Sequence, residues 1–198
     1  HSLWHYSAMD KTVLSAQDLL QDSFELGVQV LESDFRPTMI IAIWRGGTPV
    51  GMAVQDILAY CGIESDHIAI RTSSYVGVDQ RGAVAVHGLN YIIKKICYDD
   101  RVLIVDDVFD TGNTIKAVID DLTRRARGNT PEDIRVAVPW YKPNRNETDL
   151  EPDYFIRKTD EWLVFPHELD ALTKEELEAH RPEIAGIVAN VKSPVLSA

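Results

Sequence analysis

The chain has 198 residues, 45% apolar and 26% charged, with a formal net charge of −11. That is enough apolar material for one good-sized core, so a single domain over residues 1–198 is expected, and two domains are not. An acidic surface repels nucleic acid and anionic membrane, so nucleic acid is an unfavoured partner and any phosphate site must be locally positive or cation-loaded. Cys61 and Cys97 stand apart from each other and from any Cys/His cluster, which excludes a zinc motif and fits buried free thiols in a reducing compartment. No apolar run approaches 18 residues and there is no basic, Ser-rich leader, so the expectation is a cytoplasmic protein with no membrane segment. Residues 1–8 precede Met9 and are assigned no function.

From Ser15 to about Glu32, Leu19, Leu20, Phe24, Leu26, Val28, Val30 and Leu31 give a helical pattern, with Ser15 and Asp18 as its capping pair. Met39 to Trp44 reads as a strand that runs into Arg45-Gly46-Gly47. A cation followed by two glycines lets a guanidinium and backbone amides wrap one anion. Gly47 to Tyr60 is a helix with Pro49 tolerated in its first turn. Ile68 to Ser74 is a further strand, carrying Arg71, Thr72, Ser73 and Ser74 at its end and followed by Tyr75. The interval that follows holds Gly77, Gly82 and Gly88 and few large apolar residues before Leu89, the composition of a long surface loop or active-site lid.

The most informative segment comes next. Val102, Leu103, Ile104 and Val105 form an apolar run bounded by polar residues, as expected of a strand covered on both faces of a parallel sheet. Asp106 and Asp107 follow at its carboxyl end, where open α/β sheets bind ligands. From about Gly112 to Arg125, Ile115, Val118, Ile119 and Leu122 mark an amphipathic helix. Asp110, Thr111, Gly112, Asn113 and Thr114 therefore lie at a helix N-terminus, a ready phosphate cradle. Carboxylates for a sugar diol or hydrated metal, followed by a phosphate nest, imply a sugar phosphate as ligand.

Asp133 to Trp140 adds a strand whose tip continues as Tyr141-Lys142-Pro143, placing a cation at the carboxyl end. Tyr154 to Ile156 and Trp162 to Phe165 are short strand candidates, and an acidic helix runs from Thr173 to about His180. Alternating strands and helices predict an α/β fold, a doubly wound, mainly parallel sheet flanked by helices. The tail from Tyr154 breaks that rhythm and reads as a small C-terminal hood over the sheet. On this reading residues 36–140 are the core, 141–170 the hood and 171–198 a helical tail.

The segment from Val102 to Thr114 closely resembles the phosphoribosyl-pyrophosphate signature of the type I phosphoribosyltransferases, and the likeness spans roughly residues 36–170, nearest to the 6-oxopurine members. The resemblance implies that Asp106 and Asp107 address the ribose hydroxyls and magnesium, and that Asp110, Thr111, Gly112, Asn113 and Thr114 line the 5-phosphate loop. Arg45-Gly46-Gly47 is similar to the pyrophosphate loop, where the peptide before the basic residue is often cis. Arg71 is then a pyrophosphate contact, and Ser74-Tyr75 matches the pair that opens the catalytic lid. Lys142 stands where oxopurine enzymes hold the purine O6. The stretch from Asp160 to Glu168 resembles the base-binding hood, with Trp162 stacking on the purine, Leu163 beside it, and Glu168 matching an acid that holds a second magnesium through water. Relatives often carry Lys or Gly where this chain has Asn113, and some place a lysine where it has Ser73.

The implied activity is purine salvage: transfer of the phosphoribosyl group to N9 of hypoxanthine, guanine or xanthine, with magnesium as cofactor. The resemblance implies Asp110 as the general base at N7, because it lies beyond the diol acids, towards the base side, in the corresponding family position. A homo-oligomer, dimer or tetramer, is the implied assembly. The competing readings are a non-catalytic regulator of the same fold that binds nucleotide or RNA, and a phosphoribosyltransferase for another base. A Rossmann-type redox enzyme is disfavoured by the lack of GxGxxG after the first strand.

Overall fold

The computed structural model describes residues 11–74 and 83–192. Tyr75, Gly77, Gly82 and residues 1–8 lie outside them. The chain divides into two compact units, Gln17–Asp160 and a second formed from both ends of the chain, whose described parts are residues 11–16 and 161–192.

In the larger unit, helix α1 (Ala16–Glu32) leads to strand β2 (Met39–Trp44), helix α2 (Gly47–Tyr60) and strand β3 (Asp66–Ser74). After residue 82 come strand β4 (Val84–His87), helix α3 (Asn90–Lys95), β5 (Arg101–Val105), β6 (Val108–Phe109), α4 (Asn113–Ala126), β7 (Asp133–Tyr141) and β8 (Tyr154–Lys158). Seven of these strands form one sheet in the order β4-β3-β2-β5-β7-β6, with β8 also paired to β7. Every pairing in it is parallel except β3 with β4.

The doubly wound reading follows from side-chain alternation. Ile41 and Ile43 of β2 join Val102, Ile104, Val136 and Val138 in a cluster with Ile92 of α3 and Ile115, Val118 and Leu122 of α4. Ile40 and Ala42 alternate with them, and α2 packs on β2 and β5. Because both faces are covered, Val102, Leu103, Ile104 and Val105 are each 0% exposed. Burial of side chains of this size contributes roughly 1.5–3 kcal/mol apiece, which is why β5 occupies the sheet's centre.

Four expectations are corrected. The strand at Tyr154 is no appendage: β8 pairs in parallel with β7 through Ala137↔Tyr154 and Tyr141↔Lys158, extending the main sheet. The segment before Leu89 is not all loop, since β4 pairs with β3 through Arg71↔His87 and Ser74↔Val84. Cys61 and Cys97 are free but exposed; each follows the end of a helix, where the chain turns on the surface. The acidic pair also does not end the strand for good. Val105 and Tyr154 both pair with Ala137, and Val108 and Arg157 both pair with Trp140, so β5 and β6 share one edge of β7 and β8 holds the other. Asp106-Asp107 is thus a break within one strand path.

In the second unit, strand β1 (Lys11–Val13) lies parallel to β9 (Trp162–Val164) in the register Lys11↔Trp162 to Val13↔Val164. Two short helices follow, α5 (Lys174–His180) and α6 (Pro182–Ala189). Thr173 and Glu176 close a capping box on α5. Lys11 Nζ reaches the Ala171 carbonyl at 3.1 Å and Glu176 Oε1 at 3.0 Å. No helix among the described residues is long and apolar enough to cross a membrane.

Candidate active site

The carboxyl ends of β3, β2, β5 and β7 carry the residues of interest in the larger unit. From β2 the chain winds to β3 on one side, while β5 and β7 lie on the other, so the crevice between β2 and β5 is the sheet's topological switch point. Arg45-Gly46 leaves one rim of it and Asp106-Asp107 the other.

The cationic rim is built by register. Trp44 pairs with Arg71 across β2 and β3, so Arg45 follows the end of β2 one residue beyond the level at which β3 carries Arg71. The Trp44–Arg45 peptide is cis. Gly47 opens α2 hard against the opposite rim: a Cβ there would stand 2.6 Å from the Val105 carbonyl oxygen and 3.0 Å from Asp106 Cα. Ser74 is the last residue of β3, exposed and paired with Val84.

On the acidic rim, the Asp107 amide donates to Asp106 Oδ1 at 2.9 Å. Burial first, and then the neighbouring Asp107 carboxylate, push the Asp106 carboxyl well above the ordinary range. Asp107 is 8% exposed. Two adjacent hard carboxylate donors at a strand end suit an oxygen-seeking divalent cation, which would relieve that repulsion. Both residues fit such an ion.

Past β6 the chain turns through Asp110 and Thr111 to Gly112, which caps α4 at φ 83 and ψ −5, a left-handed conformation natural to glycine. A side chain there would also meet Thr148 Oγ1 at 2.7 Å and the Phe109 ring at 2.8 Å. The Asn113 amide donates to Thr111 Oγ1 at 3.2 Å. Thr114 lies in the first turn of this 14-residue helix, at the positive end of its dipole.

A strap after β7 clasps this loop from outside. The Lys142 amide donates to the Phe109 carbonyl at 2.9 Å, and the Glu147 amide to the Thr111 carbonyl at 2.8 Å. Asn113 Nδ2 donates to Glu147 Oε2 at 3.0 Å, which engages its side-chain amide. Lys142 is 7% exposed, and its Nζ lies 3.6 Å from Asp110 Oδ2. Arg145 Nε lies 2.5 Å from Asp110 Oδ1, and that hydrogen bond pushes the guanidinium's pKa up. Arg145 and Glu147 carry no motif signal. A short 3₁₀ turn, Pro143–Arg145, is what brings them to the loop.

The second unit holds the remaining candidates. Trp162 is 48% exposed, not a core residue, with Lys11 Nζ 4.7 Å from its ring centroid. Leu163 is buried and pairs with Thr12. Glu168 Oε2 accepts the Phe165 amide at 3.2 Å, and the Phe165 and His167 rings stack at 5.3 Å. Tyr75 lies outside the described residues.

Comparison with known proteins bears on this arrangement. A hypoxanthine-guanine phosphoribosyltransferase of Staphylococcus epidermidis is 27% identical over 188 residues, covering 93% of this chain and 97% of that protein. Among solved structures, the purine phosphoribosyltransferase of Pyrococcus horikoshii Ot3 aligns with a TM-score of 0.62 at 29% identity, over 81% of this chain and 95% of that one. The xanthine-guanine-hypoxanthine phosphoribosyltransferase of Helicobacter pylori shares the fold, with a TM-score of 0.62 at 22% identity over 86% of this chain and 99% of that one. The model of the phosphoribosyl transferase domain matches residues 10–174. With that match spanning most of its length, this chain belongs to the phosphoribosyl transferase domain family.

Proposed function

We propose that this chain is a purine salvage enzyme: it transfers the 5-phosphoribosyl group of phosphoribosyl pyrophosphate to N9 of hypoxanthine, guanine or xanthine and releases pyrophosphate. The observation that carries the oxopurine reading is Lys142. The residue is 7% exposed, directly after β7, and its Nζ lies 3.6 Å from Asp110 Oδ2. A buried cation aimed past a carboxylate suits a carbonyl acceptor such as O6; the exocyclic amine of adenine would repel it.

The residues divide the work as follows. Asp106 and Asp107 take the ribose diol and the magnesium ion. Gly112, Thr111, Asn113 and Thr114 hold the 5-phosphate through backbone amides and hydroxyls, Asn113 through its amide N–H alone. Arg45, Gly46 and Arg71, with Ser74 and Tyr75 opening the lid, receive the pyrophosphate. Trp162 and Leu163 serve the purine, and Glu168 a second magnesium. When bound, magnesium neutralises charge on the departing pyrophosphate. As the bond from C1′ to the pyrophosphate oxygen breaks and N9 bonds to C1′, the N7 proton passes to Asp110. Developing negative charge on the leaving group meets Arg45 and Arg71, and electrostatic stabilisation of this kind is usually the largest contribution to rate. The curated relatives named hypoxanthine-guanine phosphoribosyltransferase support hypoxanthine and guanine among these bases. A cytoplasmic homo-oligomer accompanies this reading.

A spectrophotometric assay of hypoxanthine, guanine, xanthine and adenine with phosphoribosyl pyrophosphate and magnesium tests it. Turnover of one or more oxopurines and none of adenine is expected. Turnover of adenine alone, or of no base together with salt-dependent RNA binding, would overturn it.

A further inference from the structure

Asp110 is gripped by two cations of different character, and the difference assigns a role that no motif marks. Arg145 Nε sits at 2.5 Å from Oδ1, whereas Lys142 Nζ stands 3.6 Å from Oδ2. The first is a short charge-assisted hydrogen bond. The second is an electrostatic contact beyond ordinary hydrogen-bond length.

We propose that Arg145 is a positioning residue: by holding Oδ1 it fixes the Asp110 carboxylate and leaves Oδ2 as the oxygen that accepts the purine proton, with Lys142 kept for the base itself. This rests on the reading of Asp110 as general base. The grip is not there for stability. Arg145 is 57% exposed at its side chain and Asp110 36%, and exposed ion pairs contribute little to folding. The strap, in contrast, is rigidly tied. The Arg145 amide donates to the Lys142 carbonyl at 3.1 Å, and the Lys142 and Glu147 amides donate to Phe109 and Thr111 on either side of Asp110. The guanidinium therefore arrives from a frame indexed to the same loop whose carboxylate it holds. Lysine at 145 would offer a charge without the planar N–H direction. The cation near Oδ2 is Lys142, directly after β7, the residue assigned to the purine. A carboxylate free to rotate would alternate its oxygens between the lysine and the substrate, and small misplacements of a reacting group cost rate steeply.

The test compares Arg145→Ala, Arg145→Lys and Asp110→Asn by steady-state kinetics on the full chain, with thermal melts as a folding check. Arg145→Ala should lower kcat roughly tenfold to a hundredfold, with KM for phosphoribosyl pyrophosphate within about twofold of wild type and the melting temperature nearly unchanged. Arg145→Lys should recover part of the loss, and millimolar guanidinium should rescue Arg145→Ala but not Asp110→Asn. Adding Arg145→Ala to Asp110→Asn should cost little more, because the two act as one unit. An Arg145→Ala enzyme with wild-type kcat, or one whose kcat, both KM values and melting temperature all worsen together without guanidinium rescue, overturns the positioning role. If Asp110→Asn itself turns over normally, the base assignment fails and takes this inference with it. If Asp110→Asn is inactive while Arg145→Ala is normal, only the inference fails.

Discussion

Gly47 and Asp106 are in contact through the space a side chain would fill: a Cβ on Gly47 would lie 3.0 Å from Asp106 Cα and 3.2 Å from its Oδ1. The two rims of the crevice, one ending β2 and one ending β5, meet at this point. Gly47→Ala should therefore force the rims apart, since the atoms in the way are backbone and cannot swing aside. An overpacking cost of about 1–3 kcal/mol is expected in urea denaturation, together with a rise in KM for phosphoribosyl pyrophosphate larger than that for the purine. Unchanged stability and kinetics would mean that the rims are not in register through Gly47.

Lys142 serves the base and not the sugar phosphate, so truncation should separate the two substrates. Lys142→Ala should raise KM for the oxopurine by tenfold or more, the scale of one lost charged hydrogen bond, and leave KM for phosphoribosyl pyrophosphate within about twofold. Equal losses for both substrates would make the residue a structural partner of Asp110 instead.

The Asp106 carboxyl is pushed above its ordinary value of 3.8 by burial and by Asp107. A raised folded-state pKa means that the native chain binds the proton more tightly than the unfolded chain does. Stability from this group is therefore lost as pH rises from the unfolded value through the folded one. In the metal-free protein, Asp106→Asn should match wild type near pH 4 and exceed it near pH 7.5, and magnesium with phosphoribosyl pyrophosphate should stabilise wild type more than the variant. Melting curves across that range decide the matter; a variant less stable than wild type at neutral pH contradicts the assignment.

Away from the site, Arg127 closes α4 with φ 52 and ψ −122, a conformation that favours glycine, while Gly128 follows it one position too late. Thr130 ties the turn down through its amide and hydroxyl, both donating to the Arg127 carbonyl at 3.1 and 2.7 Å. Arg127→Gly should raise stability by about 1 kcal/mol, the relief of backbone strain less the extra freedom of glycine in the unfolded chain. A denaturant midpoint that falls would show that the arginine side chain outweighs its backbone.

The parts legible in the sequence are those whose own residues dictate them. β2 and β5 are unbroken apolar runs, α2 and α4 carry helical spacing, and their boundaries lie within a residue or two of expectation. What escaped notice depends on distant partners. β6 is two residues long and exists because β7 continues past the acidic break. β4 has the alternation Val84-Ala85-Val86-His87 but is defined by β3. Within the site, Asp106, Asp107 and the residues from Asp110 to Thr114 announce themselves by order along one strand-to-helix passage. Arg145 is brought to Asp110 by a 3₁₀ turn, and no spacing rule anticipates that.

Strand β1 finds its parallel partner in β9, which follows it in sequence only after the whole Gln17–Asp160 unit. During synthesis the first strand must therefore wait, its backbone groups unclaimed, until the ribosome has released Val164. The larger unit can complete its sheet in that interval, leaving assembly of the smaller one as the last event of folding. A cleavage near Lys11 would then be felt at Trp162, its partner across the two strands.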